Sequence, residues 1–298
     1  MDIGLLCSRV RVEEKLLLEA YERRGVTVRR LDERTLSLAL DRTDRPPELE
    51  GIGVVHDRAI AFGVASHLLE GLEALGITTV NRSAVVRTCG DKVRTSLALA
   101  RAGVPQMKTR VAFSTEEALR LLDEDLGYPA VIKPAVGSWG RLVARLDNRH
   151  AAEAVLEDRE VLGGWTHRSI YLQAYCDKPG RDIRAFVIGG EPLCAIYRNS
   201  AHWITNTARG GQASRCPIDG DVGRVAAAAA RAVGGGVLAV DLVEDKAGGL
   251  FVLEVNHTME FRNSIAPTET DIPGAMVDHV MAVRDGSVAG ALPVGVGS

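Results

Sequence analysis

Short apolar runs alternate with amphipathic stretches over the first ninety or so residues: "MDIGLL", "VTVRRL", "IGVVHDRA" and "ITTVN" read as strands, with helix-like segments between them. That alternation predicts a small parallel α/β unit. Between two of the runs, "DRTDRPPELEG" (41–51) is a loop by its prolines and charges. A second unit opens at "CGDKVRTSLALARAGVP", where Asp91 is placed to cap a helix that Gly103 and Pro105 close. The following "STEEALRLLDEDLGYPAVIKPAVGSWGRLVARLDN" reads as a capped helix, a strand, a glycine loop and another strand. After "SIYLQAY" the pattern is rich in strands, then gives the helix "DVGRVAAAAARAVGGG" and two strands about a turn. The expected division is an N-terminal unit at 1–88, a central one at 89–172, a C-terminal one at 173–285 and a loose tail at 286–298.

The last strand, "LFVLEVN", carries polar groups where an apolar strand should not. Glu254 and Asn256 are two apart and therefore share a face. The preceding "VLAVDLVE" is joined to it by "DKAGG", which suits an antiparallel hairpin. With the turn centred near Ala247 and Gly248, Asp241 lies opposite Glu254. Two buried carboxylates without a counter-charge raise one another's pKa. An all-oxygen set suits Mg²⁺ shared with nucleotide phosphates; the competing account is a hairpin whose carboxylates pair with nearby arginines.

A second cluster bears on that choice. Lys133 ends the apolar strand of "YPAVIKPAVGSWGR", and Gly137 and Gly140 flank Ser138 and Trp139 in a loop able to bring backbone N–H groups to a phosphate. The chain has no G-x-x-x-x-G-K-[ST] P-loop and no G-x-G-x-x-G after its first strand, which speaks against a dinucleotide dehydrogenase. Lys92 and the arginines of "GRDIRAFVIGG" add further positive charge. In that strand, Arg184 shares a face with Asp182, and Asp182 is suitably placed for a cross-strand ion pair with Arg198.

Composition narrows the class. Of 298 residues, 46% are hydrophobic and 25% charged, which fits a globular chain. No apolar run approaches the ~18 residues of a membrane span, and the N-terminal stretch lacks the pattern of a secretory signal, so the expected location is the cytoplasm. Five scattered cysteines outside any C-x-x-C pair indicate neither a disulfide framework nor a zinc cage. A net charge of -3 gives no general attraction to nucleic acid.

Taken in order, "DK" at 91–92, "VIKP" with its glycine loop, "YLQAY", "DIRAFVIGG", Asp241 and "LEVN" resemble the ATP-grasp ligases over essentially the whole chain. "HWITNTARGGQA" and "EVNHTMEFRNS" are similar to the amino-group-carrier-protein ligases of the LysX type, with the RimK-like glutamate ligases as more distant relatives. The resemblance implies an ATP-grasp fold, in the α/β class with α+β subdomains, behind an N-terminal Rossmann-like pre-ATP-grasp domain. It implies ATP and Mg²⁺ as cofactors, a small acidic LysW-like carrier protein as partner, no nucleic acid, no membrane and a homo-oligomer.

The reaction it implies runs through an acyl phosphate on the carrier's C-terminal glutamate, which the α-amino group of α-aminoadipate attacks; glutamate or a non-protein amino acid is the alternative amine. By the same resemblance Lys92, Lys133 and Arg184 meet phosphates, and Gly137, Ser138, Trp139 and Gly140 form the glycine loop. Backbone at Gln173, Ala174 and Tyr175 reads adenine, although Ala174 stands where relatives often have glutamate. Arg209 stabilises the reacting acyl group, with Lys133 and Arg184 also catalytic, and Asp241, Glu254 and Asn256 hold the metal. Asn206 and Thr207 select the amino acid; Arg198, His257, Thr258 and Glu260 line its site, and Arg262 and Asn263 hold its distal carboxylate. Basic surfaces at Arg23, Arg24, Arg29 and Arg30, or at Arg141 and Arg145, are the candidates for steering the carrier.

Overall fold

The computed structural model describes residues 1–41, 44–137, 140–205 and 211–288, and among them the strands form three sheets. The first is parallel, as the alternating pattern predicts: β1 (Asp2–Leu6), β2 (Val28–Leu31), β3 (Ile52–Asp57) and β4 (Thr78–Val80) lie in the order β2-β1-β3-β4. Helices α1 (Val12–Arg23) and α2 (Phe62–Ala74) make the crossovers that parallel neighbours require. Then follow α3 (Ser83–Cys89) and α4 (Lys92–Arg101), whose Asp91 cap accepts from the backbone N–H of Val93 and Arg94.

The second sheet is antiparallel, in the order β5-β8-β6-β7, from β5 (Thr109–Ala112), β6 (Ala130–Pro134), β7 (Ala144–Leu146) and β8 (Ile170–Ala174). Helices α5 (Thr115–Leu121) and α6 (Arg149–Leu162) pack on it, and Ala118, Ala130, Ile132, Leu146, Leu156 and Leu172 fill a core between them.

The third sheet runs β11-β10-β9-β12-β13, all antiparallel, from β9 (Arg181–Ile188), β10 (Glu191–Asn199), β11 (Gln212–Cys216), β12 (Val237–Glu244) and β13 (Leu250–Asn256). One face carries Ile183, Ala185, Val187, Val240 and Leu242 against α7 (Asp221–Ala232), whose alanines allow a close approach. Leu99 and Val104, from α4 and the turn after it, enter that same core. On the opposite face, Phe186 and Ala239 pack with Ile3, Leu17, Val54 and the helix α9 (Ile272–Arg284), which follows the short α8 (Arg262–Thr268). The parallel sheet and the five-stranded sheet therefore share one apolar core, while the central sheet keeps its own.

Asn81, nearly fully buried just past β4, fastens that junction. Its amide nitrogen donates to the carbonyls of Val237 and His257 at 2.8 Å each, and its oxygen accepts from Val237 N–H at 2.6 Å. Gly236 leaves the room for it: a Cβ there would come within 2.1 Å of Asn81 Oδ1.

Candidate active site

Alternation along β9 puts Asp182, Arg184 and Phe186 on one face of the five-stranded sheet. Phe186 is in the core, whereas the other two project past its edge into an open cleft between this sheet and the central one. Arg184 pairs in register with Asp241, and Asp241 with Glu254, so the turn residues did place these two acids opposite one another. A β-bulge between that pair and Leu242–Val252 is the unforeseen feature. The extra residue brings neighbouring Leu253 and Glu254 onto the wall of the same cavity, where strict alternation would separate them.

The acids are held by cations. Arg184 donates to both oxygens of Asp241 at 2.8 Å, and Arg198 reaches Asp241 at 3.3 Å and Asp182 at 2.6 Å. The Asp182–Arg198 pair joins residues directly across β9 and β10. Burial alone would raise the Asp241 pKa, but Arg184 and Arg198 outweigh it and bring the carboxyl down to about 2. Lys92 meets Glu254 at 3.0 Å and the Gly137 carbonyl at 2.8 Å. Asn256 points its amide at Asp241 from 3.4 Å. The carboxylates thus pair with basic groups, as the second account of the hairpin has it, while Asp241 and Glu254 line the same cavity.

That donor set fits Mg²⁺. Two carboxylates and a carboxamide, with the amide turned to present its oxygen, are hard ligands, and the ion would release Arg184 and Lys92 toward an anion. Among the described residues no group of three or more His, Cys, Asp or Glu side chains is assembled for a metal, here or elsewhere.

Two cavities meet at this point, with Gly137, Arg198, Asp241 and Glu254 as common walls. The first, of about 130 Å³, is lined by Lys92, Lys133, Gly140, Gln173, Ala174 and Tyr175, all expected at a nucleotide. Apolar Val131, Val143, Val243 and Leu253 give it faces for a flat ring. Lys133 Nζ donates to Gln173 Oε1 at 2.6 Å, and desolvation in the cavity pulls its pKa down to about 8. Two residues of this wall escaped the sequence. Lys178 bonds Thr205 Oγ1 at 2.9 Å, and Trp203 stands 6.3 Å from the Tyr175 ring. A "CDKPGR" turn and a lone tryptophan carry no periodic signal that could mark them.

The second cavity, about 220 Å³, gathers Arg184, Asn256, His257, Thr258 and Glu260, together with Arg11 from the N-terminal unit. His257 Nδ1 lies 3.9 Å from the carboxyl of Asp57. Burial is the main cause in both: it pulls His257 down to about 4, with help from Arg58, and pushes Asp57 up to about 7. Arg262 and Asn263 are a different matter. They open α8 at the surface, line neither cavity, and Arg262 reaches only Glu13 at 3.9 Å, so the structure does not bring them to the expected distal carboxylate. Ser138, Trp139, Asn206, Thr207 and Arg209 lie outside the described residues, as does the tail from 289.

The arginines of the basic cluster on the N-terminal unit have carboxylate partners. Arg23 pairs with Asp271, Arg24 with Asp278, Arg29 with Asp2, and Arg30 with Asp32, which Arg34 also meets, so the cluster is not a bare run of positive charge. Arg145 pairs with Asp147 at 2.6 Å and stacks 5.1 Å from the Tyr175 ring centre.

Against known families, residues 89–280 match the RimK-like ATP-grasp domain and residues 3–88 the LysX preATP-grasp domain. The chain belongs to the RimK-like ATP-grasp family. It is an ATP-grasp ligase. It is 38% identical over 71% of its length to the alpha-aminoadipate–LysW ligase LysX of Saccharolobus solfataricus, covering 75% of that protein. It is 30% identical over 94% of its length to the glutamate–LysW ligase ArgX of Sulfolobus acidocaldarius, covering 98% of that protein. A solved structure of a RimK domain ATP-grasp protein from Sphaerobacter thermophilus superposes with a TM-score of 0.79 at 28% identity, covering 94% of this chain and all of the other. No helix among the described residues is long and apolar enough to cross a membrane.

Proposed function

We propose that this ATP-grasp ligase joins the α-amino group of α-aminoadipate to the γ-carboxyl of the C-terminal glutamate of a small acidic LysW-type carrier protein. ATP occupies the first cavity and the amino acid enters the second. One observation carries the reading: the two cavities share a wall at Asp241 and Glu254, so a terminal phosphate on one side and an amine on the other meet at the same carboxylates.

In this reading the carrier's carboxylate takes the γ-phosphoryl group of ATP, giving an acyl phosphate and ADP. Attack by the amine then forms the amide and releases phosphate. Activation is required because a free carboxylate is a poor acyl donor at neutral pH. Lys92, Lys133 and Arg184 neutralise and align the polyphosphate, and Asp241, Glu254 and Asn256 hold magnesium, which offsets phosphate charge during transfer. Gln173 to Tyr175 present backbone to the adenine. Ser138 and Trp139 complete the glycine loop, Arg209 steadies the acyl group, and Asn206 and Thr207 contribute to choosing the amine. The protein acts in the cytoplasm as a homo-oligomer.

The glutamate-specific variant of the reaction is the second reading, since the chain is also similar to a glutamate–LysW ligase over 94% of its length. Intact mass spectrometry of a LysW-type carrier after incubation with ATP, Mg²⁺ and each amino acid in turn decides between them. A mass gain of one aminoadipate residue is expected. A gain with glutamate alone would replace the first reading by the second, and ADP release without any adduct would reject both.

A further inference from the structure

We propose that Arg11 forms the subsite that receives the side-chain carboxylate of the incoming dicarboxylic amino acid, an inference that rests on the ligase reading above. Two sets of charged groups line the second cavity. Arg184 and Arg198 are engaged with Asp241. Arg11, on the turn entering α1, faces Glu260 instead. Ile60, Phe62 and Met259 contribute apolar wall suited to a methylene arm.

The guanidinium of Arg11 is fixed along one edge. Nε and Nη2 donate to Glu14 at 2.9 and 2.8 Å, and Glu14, fully buried, is itself held by Arg58 at 3.0 Å. Its Nη1 lies 3.8 Å from Glu260, beyond hydrogen-bonding distance, and that carboxylate is 40% exposed. Loose, half-solvated pairs contribute little, so a substrate carboxylate can replace Glu260 at small cost. It would gain a charge-assisted bond to a pre-oriented donor.

The position also suits the chemistry. An α-carboxylate is next to the attacking nitrogen and must stay near the acyl group, beside Asp241 and Glu254. The second carboxylate lies farther along the arm, toward Arg11. Arg262 and Asn263, at the protein surface, do not compete for it.

The test compares α-aminoadipate with 2-aminohexanoate, which has the same carbon chain but ends in a methyl group. In Arg11→Met, KM for α-aminoadipate should rise about tenfold or more, the loss expected for one hydrogen bond to a charged group. Turnover of 2-aminohexanoate should change less than about twofold on the same reasoning, so the preference collapses, and Arg11→Lys should restore part of it. Equal losses on both amino acids, or a loss in kcat alone, would overturn the proposal and assign Arg11 a structural role through Glu14. Hydroxamate formation by the unaltered enzyme with carrier, ATP and hydroxylamine separates the two claims. If it is absent the ligase reading itself fails; if it is present and the preference survives Arg11→Met, the subsite alone is wrong.

Discussion

Arg184 and Asp241 face one another across β9 and β12 and close a two-point contact, Nε to Oδ1 and Nη2 to Oδ2, each 2.8 Å long. A metal ion at Asp241 would compete with that guanidinium for the same two oxygens and weaken its hold, making Arg184 available to phosphate. Arg184→Met should therefore act in two directions. Turnover should fall on the order of 100-fold through loss of a preorganised charge, while Mg²⁺ without nucleotide should bind more tightly, because the carboxylate has lost a neutralising partner. Steady-state kinetics and titration calorimetry give the two readings, and unchanged Mg²⁺ affinity would argue against the exchange.

Lys133 gives the proposed nucleotide site a pH dependence. Desolvation lowers its pKa to about 8, with Glu254 and Asp241 opposing and Lys92 and Lys178 reinforcing the fall. Bound phosphate favours the ammonium, so the pKa in the complex is higher than in the free protein. Affinity for ATP is then complete below the free value and declines as pH rises through about 8, by up to about tenfold per pH unit until the bound value is reached. Calorimetry in buffers of different ionisation heat should detect proton uptake on ATP binding above that pH. Lys133→Met should abolish it.

The Asn81 fastening predicts a stability effect remote from the cleft. Asn81→Ala deprives the Val237 N–H and the carbonyls of Val237 and His257 of their side-chain partner in a buried setting. A loss of about 3 kcal/mol is expected for stranded buried polar groups, read as a lower urea midpoint. No change in the midpoint would mean that water replaces the amide.

Trp203 reports occupancy of the first cavity. It stands 6.3 Å from Tyr175 on the wall where adenine is proposed to lie, whereas Trp165 is 80% exposed on the central unit. ATP should perturb tryptophan emission when Trp203 is the tryptophan kept (Trp139→Phe with Trp165→Phe), and most of that change should be missing when Trp165 is kept instead (Trp139→Phe with Trp203→Phe). The dissociation constant for ATP in Trp203→Phe should rise by no more than about threefold, since a smaller aromatic ring remains. An equal signal from the protein that keeps Trp165 would place the nucleotide elsewhere.

What the sequence disclosed depended on how far apart the cooperating residues lie along it. Asp241 and Glu254 flank one tight turn, so their register followed from the turn's composition, and Asp182 with Arg198 spans one hairpin in the same way. The bulge beside Glu254 depends on how β13 packs, which no local pattern encodes. Arg11 is farther still. It precedes the cavity-lining Glu260 by most of the chain, and the packing of α1 and α9 around a common core, with Arg58 bridging Glu14 and the Met259 carbonyl, brings the two together. Arg262 is the reverse case, because proximity in sequence to His257 suggested the cleft, yet Arg262 opens α8 in an exposed position.

The central sheet owns its core, while the other two sheets are bound through theirs and through Asn81. Such a body behaves like a door leaf on a fixed frame. Swinging it exposes few apolar contacts, so thermal motion should open the cleft from that side, and its amides should exchange with solvent sooner than those of the frame until a nucleotide bolts the leaf shut.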